Sequence, residues 1–200
     1  MDALRSPFVA ALAFASALLP GCIGAGANSP LRPVAAGFPE VSGIDLEGRA
    51  IRLPSDLAGS PRVVVVAFER QQQDDVDTWI RAAETLFSKR PAARFYEVPV
   101  IGSSPAPFRL WVNNGMRAGI PDETARRRTI TVYTDRDGFL AAVGARRESI
   151  STLLLDDGGR IAWRTDGPAD AGKVSDLDAA MDALVPATNG SVSRGSRPGS

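Results

Sequence analysis

Apolar and polar positions along the middle of the chain follow two periods, two residues for strands and about 3.6 for helices. Residues 62–68 are apolar at nearly every position, which is typical of a central strand covered by helices on both faces. Apolar residues recur at helical spacing over residues 72–88 and predict an amphipathic helix. Two β-hairpins are predicted around this unit, with turns at Glu47-Gly48 and at residues 156–159.

Strand and helix signals alternate along the rest of the same region. The predicted elements are, in order, a hairpin (43–53), a strand (62–68), a helix (72–88), a strand (94–101), a helix (108–116), a strand (129–133), a small helix from residue 139, a hairpin (151–164) and a closing helix (174–184). This order predicts an α/β fold: a central mixed sheet with an N-terminal β-hairpin extension and helices on both faces. The arginines at 126–128 are predicted to lie in a solvated loop.

The first residues have the pattern of an export signal. The apolar stretch 8–19 falls within the roughly 7–15 residues of a secretory signal and is shorter than the ~18 residues of a spanning helix. The string Leu19-Pro20-Gly21-Cys22 resembles a bacterial lipobox, in which the cysteine sulfur is lipidated and becomes the mature N-terminus. A cleaved signal with an incidental cysteine, or a short hydrophobic anchor, is the alternative. The lipobox reading predicts palmitate-type acylation of Cys22 and a periplasm-facing protein of the bacterial cell envelope.

Ile23 follows this cysteine at the place where an inner-membrane retention signal commonly has Asp. By resemblance to enterobacterial sorting, this favours the outer membrane over the inner one. The chain as a whole is predicted to contain four segments: a lipoprotein signal peptide (1–21), a flexible tether (22–38), one folded domain (39–186) and a disordered tail (187–200).

The amino-acid composition excludes several classes of function. The chain has no histidine and a single cysteine, Cys22, so residues 23–200 contain neither a thiol nor an imidazole. Ser-His-Asp and Cys-His catalysis are therefore excluded, and no metal site or cofactor is predicted. Lysine plus arginine and aspartate plus glutamate are equal at 23 each, which gives no electrostatic argument for a nucleic-acid partner.

Several stretches resemble the thioredoxin/peroxiredoxin superfamily over roughly residues 41–184. They are the entry hairpin, the valine-rich strand ending in Phe68, and the Leu-Leu-Leu-Asp-x-x-Gly-Arg-Ile-x-Trp-Arg run before Gly167. Within that superfamily, the run with Phe68, Arg70, Val76 and Trp79 is most similar to Atp10-type ATP synthase assembly factors and their bacterial relatives that lack the redox cysteines.

The resemblance also locates what is missing. Redox members place reactive cysteines where the central strand meets the next helix, since a helix N-terminus stabilises a thiolate. In this chain those positions are Glu69, Arg70, Gln71, Gln72 and Gln73. Ser151 stands where redox members have a cis-proline, and the cysteine and histidine used by copper-delivering Sco-type relatives are absent. The resemblance thus implies a thioredoxin-like fold in a protein that cannot carry out thiol chemistry.

Three regions are candidate binding sites. Glu69, Arg70, Gln71 and Gln72 follow the central strand and can hydrogen-bond an extended peptide. The alternative is that Glu69 and Arg70 only pair with each other or cap the helix. The segment 111–121 is either a partner-binding wall or a structural loop; its candidate contacts are Trp111, Met116 and Arg117. Ser151 is the third candidate. Trp79 is predicted to be a core residue.

Two functional hypotheses follow. The first is a redox-inactive envelope lipoprotein that acts as an assembly factor or binds a protein or peptide whose identity the sequence does not give, with Cys22 attaching it to the membrane. The second is a small-ligand binder or non-thiol enzyme, in which Glu69 is an acid/base and Arg70 anchors an anion.

Overall fold

The structure, a computed structural model, describes residues 37–184. The strands are β1 (Val41–Asp45), β2 (Ala50–Leu53), β3 (Arg62–Ala67), β4 (Arg94–Gly102), β5 (Ile130–Thr134), β6 (Ser151–Leu155) and β7 (Ile161–Asp166). The helices are α1 (Gln73–Ser88), α2 (Ala106–Gly119), α3 (Glu123–Arg128), α4 (Arg136–Val143) and α5 (Ala171–Leu184), and a 3₁₀ turn (Arg70–Gln72) precedes α1. No helix in this part of the chain is long and apolar enough to cross a bilayer. The predicted signal peptide, Cys22 and the tail 187–200 lie outside the described residues.

One mixed sheet organises these elements in the order β2-β1-β5-β4-β3-β6-β7. Strands β3, β4 and β5 run parallel, so their carboxyl ends meet at one margin, here called the carboxyl edge. Strand β6 runs antiparallel to β3, which brings its first residue, Ser151, opposite Val66 at the same edge. The predicted mixed sheet with an N-terminal hairpin extension is confirmed.

Strand β3 is buried along its whole length, because both faces of the sheet are covered. On one face, Val63 and Val65 pack with α1 and α5. On the other, Val64 and Val66 pack with Phe139 of α4. Burial on both faces explains the unbroken apolar pattern of this strand in the sequence.

Trp79 is part of the core, as predicted. Its ring meets Trp163 edge to face at 6.2 Å between centroids, and its Nε1 donates to the carbonyl oxygen of Gly167 at 3.0 Å. A buried indole with a satisfied N–H contributes both apolar area and a specific hydrogen bond. This pair joins α1 to the final hairpin and to the loop after β7.

The folded domain begins before residue 39, although the sequence pattern assigns residue 38 to the tether. Phe38 is buried, and its ring meets Phe139 edge to face at 5.7 Å. Its backbone N–H donates to the carbonyl oxygen of Gly159 at 2.9 Å. An aromatic residue in a Gly/Pro-rich stretch thus marks the start of the core.

The arginines at 126–128 lie in helix α3 (Glu123–Arg128), and the prediction of a loop there is wrong. Asp122 caps it, because its Oδ1 accepts a hydrogen bond from the backbone N–H of Ala125 at 2.6 Å. Arg127 pairs with Glu123 one turn away, and Arg126 pairs with Glu47 of the first hairpin. Basic residues in the last turn also suit the negative end of the helix dipole. Helix α2 likewise continues to Gly119, so the segment 111–121 is largely helical.

Candidate functional site

The β3–α1 junction, residues 69–73, lies at the carboxyl edge as predicted. The backbone is extended at Glu69 and then turns through one 3₁₀ turn into α1. Asp74 and Asp75 occupy the first turn of α1, where the positive end of the helix dipole favours them. The side chains of the junction have three different environments.

Gln72 is buried and holds the junction together. Its Oε1 accepts hydrogen bonds from the backbone N–H groups of Phe68 at 2.8 Å and Glu69 at 3.2 Å. Its Nε2 donates to the carbonyl oxygen of Arg147 at 2.8 Å. These bonds satisfy buried and part-buried backbone groups where β3 leads into α1, so this amide is committed to the structure.

Glu69 is held between two arginines from other parts of the chain. Its Oε1 accepts from Nη1 of Arg136 and from Nε of Arg147, both at 3.1 Å. Arg136 opens α4, and Arg147 lies in the loop before β6. The sequence-based alternative that Glu69 pairs with Arg70 is therefore not what the structure shows.

Arg70 and Gln71 are exposed, as is Gln73, whose amide donates to Asp77 Oδ1 at 3.0 Å. The solvent-facing surface of the junction thus consists of one guanidinium, two amides and the partly exposed carboxylate of Glu69. These groups can donate and accept hydrogen bonds with an extended chain.

Ser151 lies inside the sheet, with none of its surface accessible. Its hydroxyl donates to Asp166 Oδ1 at 2.7 Å, and Arg164 Nη2 lies 2.6 Å from the same oxygen. Ser151 lies at the carboxyl edge, yet its side chain bonds to its β7 neighbours and takes no part in the surface, so it is not available to contact a partner as predicted.

Helix α2 presents three large apolar side chains to solvent. Phe108, Leu110 and Trp111, together called the α2 face, are 45%, 64% and 72% exposed. The rings of Phe108 and Trp111 lie 5.9 Å apart. These three apolar side chains are therefore turned outward, which helical spacing alone does not reveal.

Polar groups make the inward contacts of α2. The hydroxyl of Tyr133 on β5 donates to Asn113 Oδ1 at 2.8 Å, and the Arg109 guanidinium lies 5.2 Å from the Tyr133 ring centroid. Burial raises the pKa of this tyrosine above its usual value, and the nearby Arg109 partly opposes the rise. Because polar contacts orient the helix, its apolar side chains remain free to face outward.

Arg117 and Met116 lie at the far end of α2. Arg117 donates to the carbonyl oxygen of Leu46 at 3.2 Å and pairs with Glu47 at 3.1 Å, beside the turn of the first hairpin. The hydrogen bond from Arg126, with help from Arg117, keeps the pKa of Glu47 below its usual value. Met116 is half-buried. The hairpin turn follows Asp45, which pairs with the first residue of β5, so Arg117 is at the opposite edge from Glu69.

A groove of about 500 Å³ separates α2 from the first hairpin. Its walls include Leu110, Asn113, Asn114 and Arg117 from the helix and Leu46 from the hairpin. Glu69 and Arg70 line neither this groove nor a second concavity near β2. The enzyme hypothesis that depends on those two residues gains no support from the geometry.

Solved structures identify the architecture. A protein of Aquifex aeolicus to which an electron-transfer role has been ascribed superposes with a TM-score of 0.53 at 12% identity, covering 75% of this chain and 97% of its own. BsSco, a member of the Sco family of cytochrome c oxidase assembly proteins, superposes with a TM-score of 0.50 at 13% identity, covering 76% and 96%. The fold is thioredoxin-like. No protein-family model and no curated protein matches the sequence.

Within this thioredoxin-like fold, the structure shows a buried carboxyl group that the sequence analysis missed. Glu97 of β4 is 8% exposed and lies between Val65 of β3 and Thr129 in the sheet. Burial, together with the nearby charge of Asp77, raises its pKa to about 7. The sequence feature that points to this buried carboxyl group is a single acidic residue within a mostly apolar strand. In residues 37–184, no group of acidic side chains has the arrangement of a metal site.

Proposed function

We propose that the protein is a lipid-anchored component of the bacterial envelope that binds a protein or peptide partner and carries out no thiol chemistry. The observation that carries the proposal is the exposure of the α2 face in a domain whose strand–helix junction contains no cysteine. Large exposed aromatic and aliphatic side chains on one helix are typical of interaction sites, and Trp is enriched among residues that dominate binding energy.

The groove beside Leu110 gives this surface both apolar and polar contacts. Leu110 belongs to the α2 face and also lines the groove, whose walls carry the amides of Asn113 and Asn114. A partner side chain that covers Trp111 can continue into the groove and meet hydrogen-bonding groups there. An apolar centre with a polar margin is the usual anatomy of a protein interface.

The proposed attachment to the membrane is based on the sequence around Cys22. Cys22 precedes the described domain by a short Gly/Ala/Pro-rich segment, so a lipid on its sulfur holds the domain close to the membrane surface. We propose the periplasmic side of the outer membrane. One structural neighbour belongs to a family of cytochrome c oxidase assembly proteins, and an assembly factor of the Atp10-like type is the role we favour for partner binding.

The binding test uses crosslinking in intact cells followed by purification of the partner. The double variant Leu110→Ser/Trp111→Ser is compared with wild type and with Arg81→Ser, an exposed position on α1 that serves as the control. We expect the purified partner to lose at least about tenfold in affinity for the double variant and none for the control. Equal affinity for all three proteins would remove the α2 face from the proposal, and Arg70→Ala with Gln71→Ala would then test the junction.

The anchor is tested separately. Wild type should incorporate labelled palmitate and fractionate with membranes, whereas Cys22→Ser should do neither. Membrane association that persists in Cys22→Ser without label would show that another element provides attachment.

A further inference from the structure

A second concavity, of about 440 Å³, lies at the edge of the sheet opposite the β3–α1 junction. Four arginines line it: Arg49, Arg94, Arg127 and Arg128. Arg94 is the first residue of β4 and pairs with the first residue of β3, which fixes its place at the far edge from Glu69. This site, here called the basic concavity, is therefore separate from the junction, and it shares no lining residue with the groove beside α2.

The charges around the basic concavity do not cancel. Arg49 is paired with the buried Asp45 at 2.7 Å, and Arg127 is paired with Glu123. The single acidic lining residue, Asp56, is held by Arg52. Among residues 37–184, no carboxylate forms an ion pair with Arg94 or Arg128. Two positive charges thus remain without partners beside one cavity.

Local hydrogen bonds hold the first of these two arginines in place. Nη1 of Arg94 donates to the carbonyl oxygens of Pro91 and Ala93, which fixes its guanidinium and leaves other N–H groups for a ligand. Arg128 is half-buried at the end of α3. Both cations act on Tyr96: burial raises its pKa, and the charges of Arg128 and Arg94 partly oppose that rise.

The floor of the basic concavity is apolar. Ile51, Leu57, Ile130 and the ring of Tyr96 line it, and three of these four belong to the core packed on the α4 side of the sheet. The Tyr96 hydroxyl is already committed, since it donates to the carbonyl oxygen of Ala58 at 3.0 Å. A ligand would therefore meet positive charge on the walls and hydrocarbon below.

We propose that the basic concavity binds a phosphate monoester that carries a small apolar group. A guanidinium presents paired N–H donors that match two phosphate oxygens, and a phosphate dianion balances the charges of Arg94 and Arg128. The apolar substituent would cover the floor and gain from its removal from water. The same chemistry is found in soluble phosphate esters and in the headgroup of phosphatidic acid, which a membrane-attached protein can also meet.

Calorimetric titration of the full-length protein with phenyl phosphate tests this proposal, with phenol and inorganic phosphate as partial ligands. We expect phenyl phosphate to bind more tightly than either, and Arg128→Gln to weaken it about tenfold or more. Arg128→Lys should bind with intermediate affinity, because it keeps the charge and loses the paired donors. The matched control is Arg146→Gln, an exposed arginine beyond α4, which should bind as wild type does.

Vesicles of phosphatidylcholine with and without phosphatidic acid distinguish the two sources. Binding of phenyl phosphate that is lost in Arg128→Gln supports a soluble ester. Binding only to phosphatidic acid vesicles, again dependent on Arg128, supports the lipid headgroup.

Equal affinity of wild type and Arg128→Gln, equal loss in Arg146→Gln, or no binding to any phosphate ester would overturn the proposal. A native melting temperature for Arg128→Lys keeps the comparison valid if the Gln variant fails to fold. None of these outcomes depends on the partner proposed for the α2 face.

Discussion

The side-chain nitrogen of Gln72 donates a hydrogen bond to the carbonyl oxygen of Arg147 across 2.8 Å. This contact joins the β3–α1 junction to the loop that precedes β6. In redox members of the superfamily that the sequence resembles, the segment that corresponds to the junction carries the reactive cysteines. Here an amide of that segment is bonded to a backbone carbonyl of a neighbouring loop, so this side chain is not available to a partner.

Replacing Gln72 by Ala should destabilise the domain by about 1–3 kcal/mol, because one buried backbone N–H loses its partner, as do one part-buried N–H and one part-buried carbonyl. Urea unfolding measures this difference. The adjacent exposed residue provides the control, since Gln71→Ala should change stability by less than about 0.5 kcal/mol. Similar stabilities for the two variants would mean that water replaces the side chain at no cost.

Glu69→Gln should have a much smaller effect, below about 1 kcal/mol, because the bridge to Arg136 and Arg147 is partly exposed. Salt should shrink that difference further, since screening weakens exposed ion pairs. Thermal melts of wild type and variant at low and high salt check both expectations. A large loss that is insensitive to salt would show that the carboxylate acts through packing instead.

Glu97 should make stability fall as the pH rises. Its pKa is about 7 in the folded protein and near 4.5 in the unfolded chain, so the folded state binds the proton more tightly. The resulting stabilisation is fully present below pH 4.5 and is lost as the pH rises through 7, by up to about 3 kcal/mol. The chain has no histidine, which leaves few other side chains to titrate in this window.

Glu97→Gln should remove most of this slope and be more stable than wild type at pH 8. Urea midpoints at pH 5 and pH 8 for both proteins give the comparison. Parallel pH profiles would show that Glu97 titrates as it does in water.

The tryptophans should respond very differently to substitution. Trp111→Ser should alter stability by less than about 0.5 kcal/mol, because the side chain is largely exposed. Trp79→Phe should cost about 1–3 kcal/mol, since the carbonyl of Gly167 loses its donor and the contact with Trp163 changes. Unfolding curves followed by circular dichroism measure both, and a stability loss in Trp111→Ser would show that the α2 face packs within the domain.

The elements with strong periodicity could be read from the sequence. The unbroken apolar run of β3 and the helical spacing around Trp79 both predicted their structures correctly. Helix α3 was missed because three consecutive arginines resemble a solvated loop; its signal was the capping Asp122 three residues before Ala125. Short helices depend on such caps more than on an apolar stripe.

The candidate site was harder to predict, since burial of a polar side chain depends on distant segments. Gln72 and Gln71 are identical residues side by side, yet the first is buried by the loop around Arg147 and the second is exposed. Ser151 is inaccessible because β3 and β7 flank β6 on both sides. On α2, the apolar residues face outward because Tyr133 binds the polar side of the helix.

The strand order also bears on how the chain folds. The two outermost strand pairs of the sheet, β1–β2 and β6–β7, are local hairpins. The pairing of β3 with β6 instead joins opposite halves of the chain. Local pairs close small loops, and distant pairs bear a larger entropy cost before they are stabilised. The pairing of β1 with β5 is about as distant in sequence as that of β3 with β6, so we expect formation of these two pairs to limit the refolding rate. In stopped-flow experiments, Val64→Ala in β3 should slow refolding, while Ile51→Ala in the first hairpin should mainly speed unfolding.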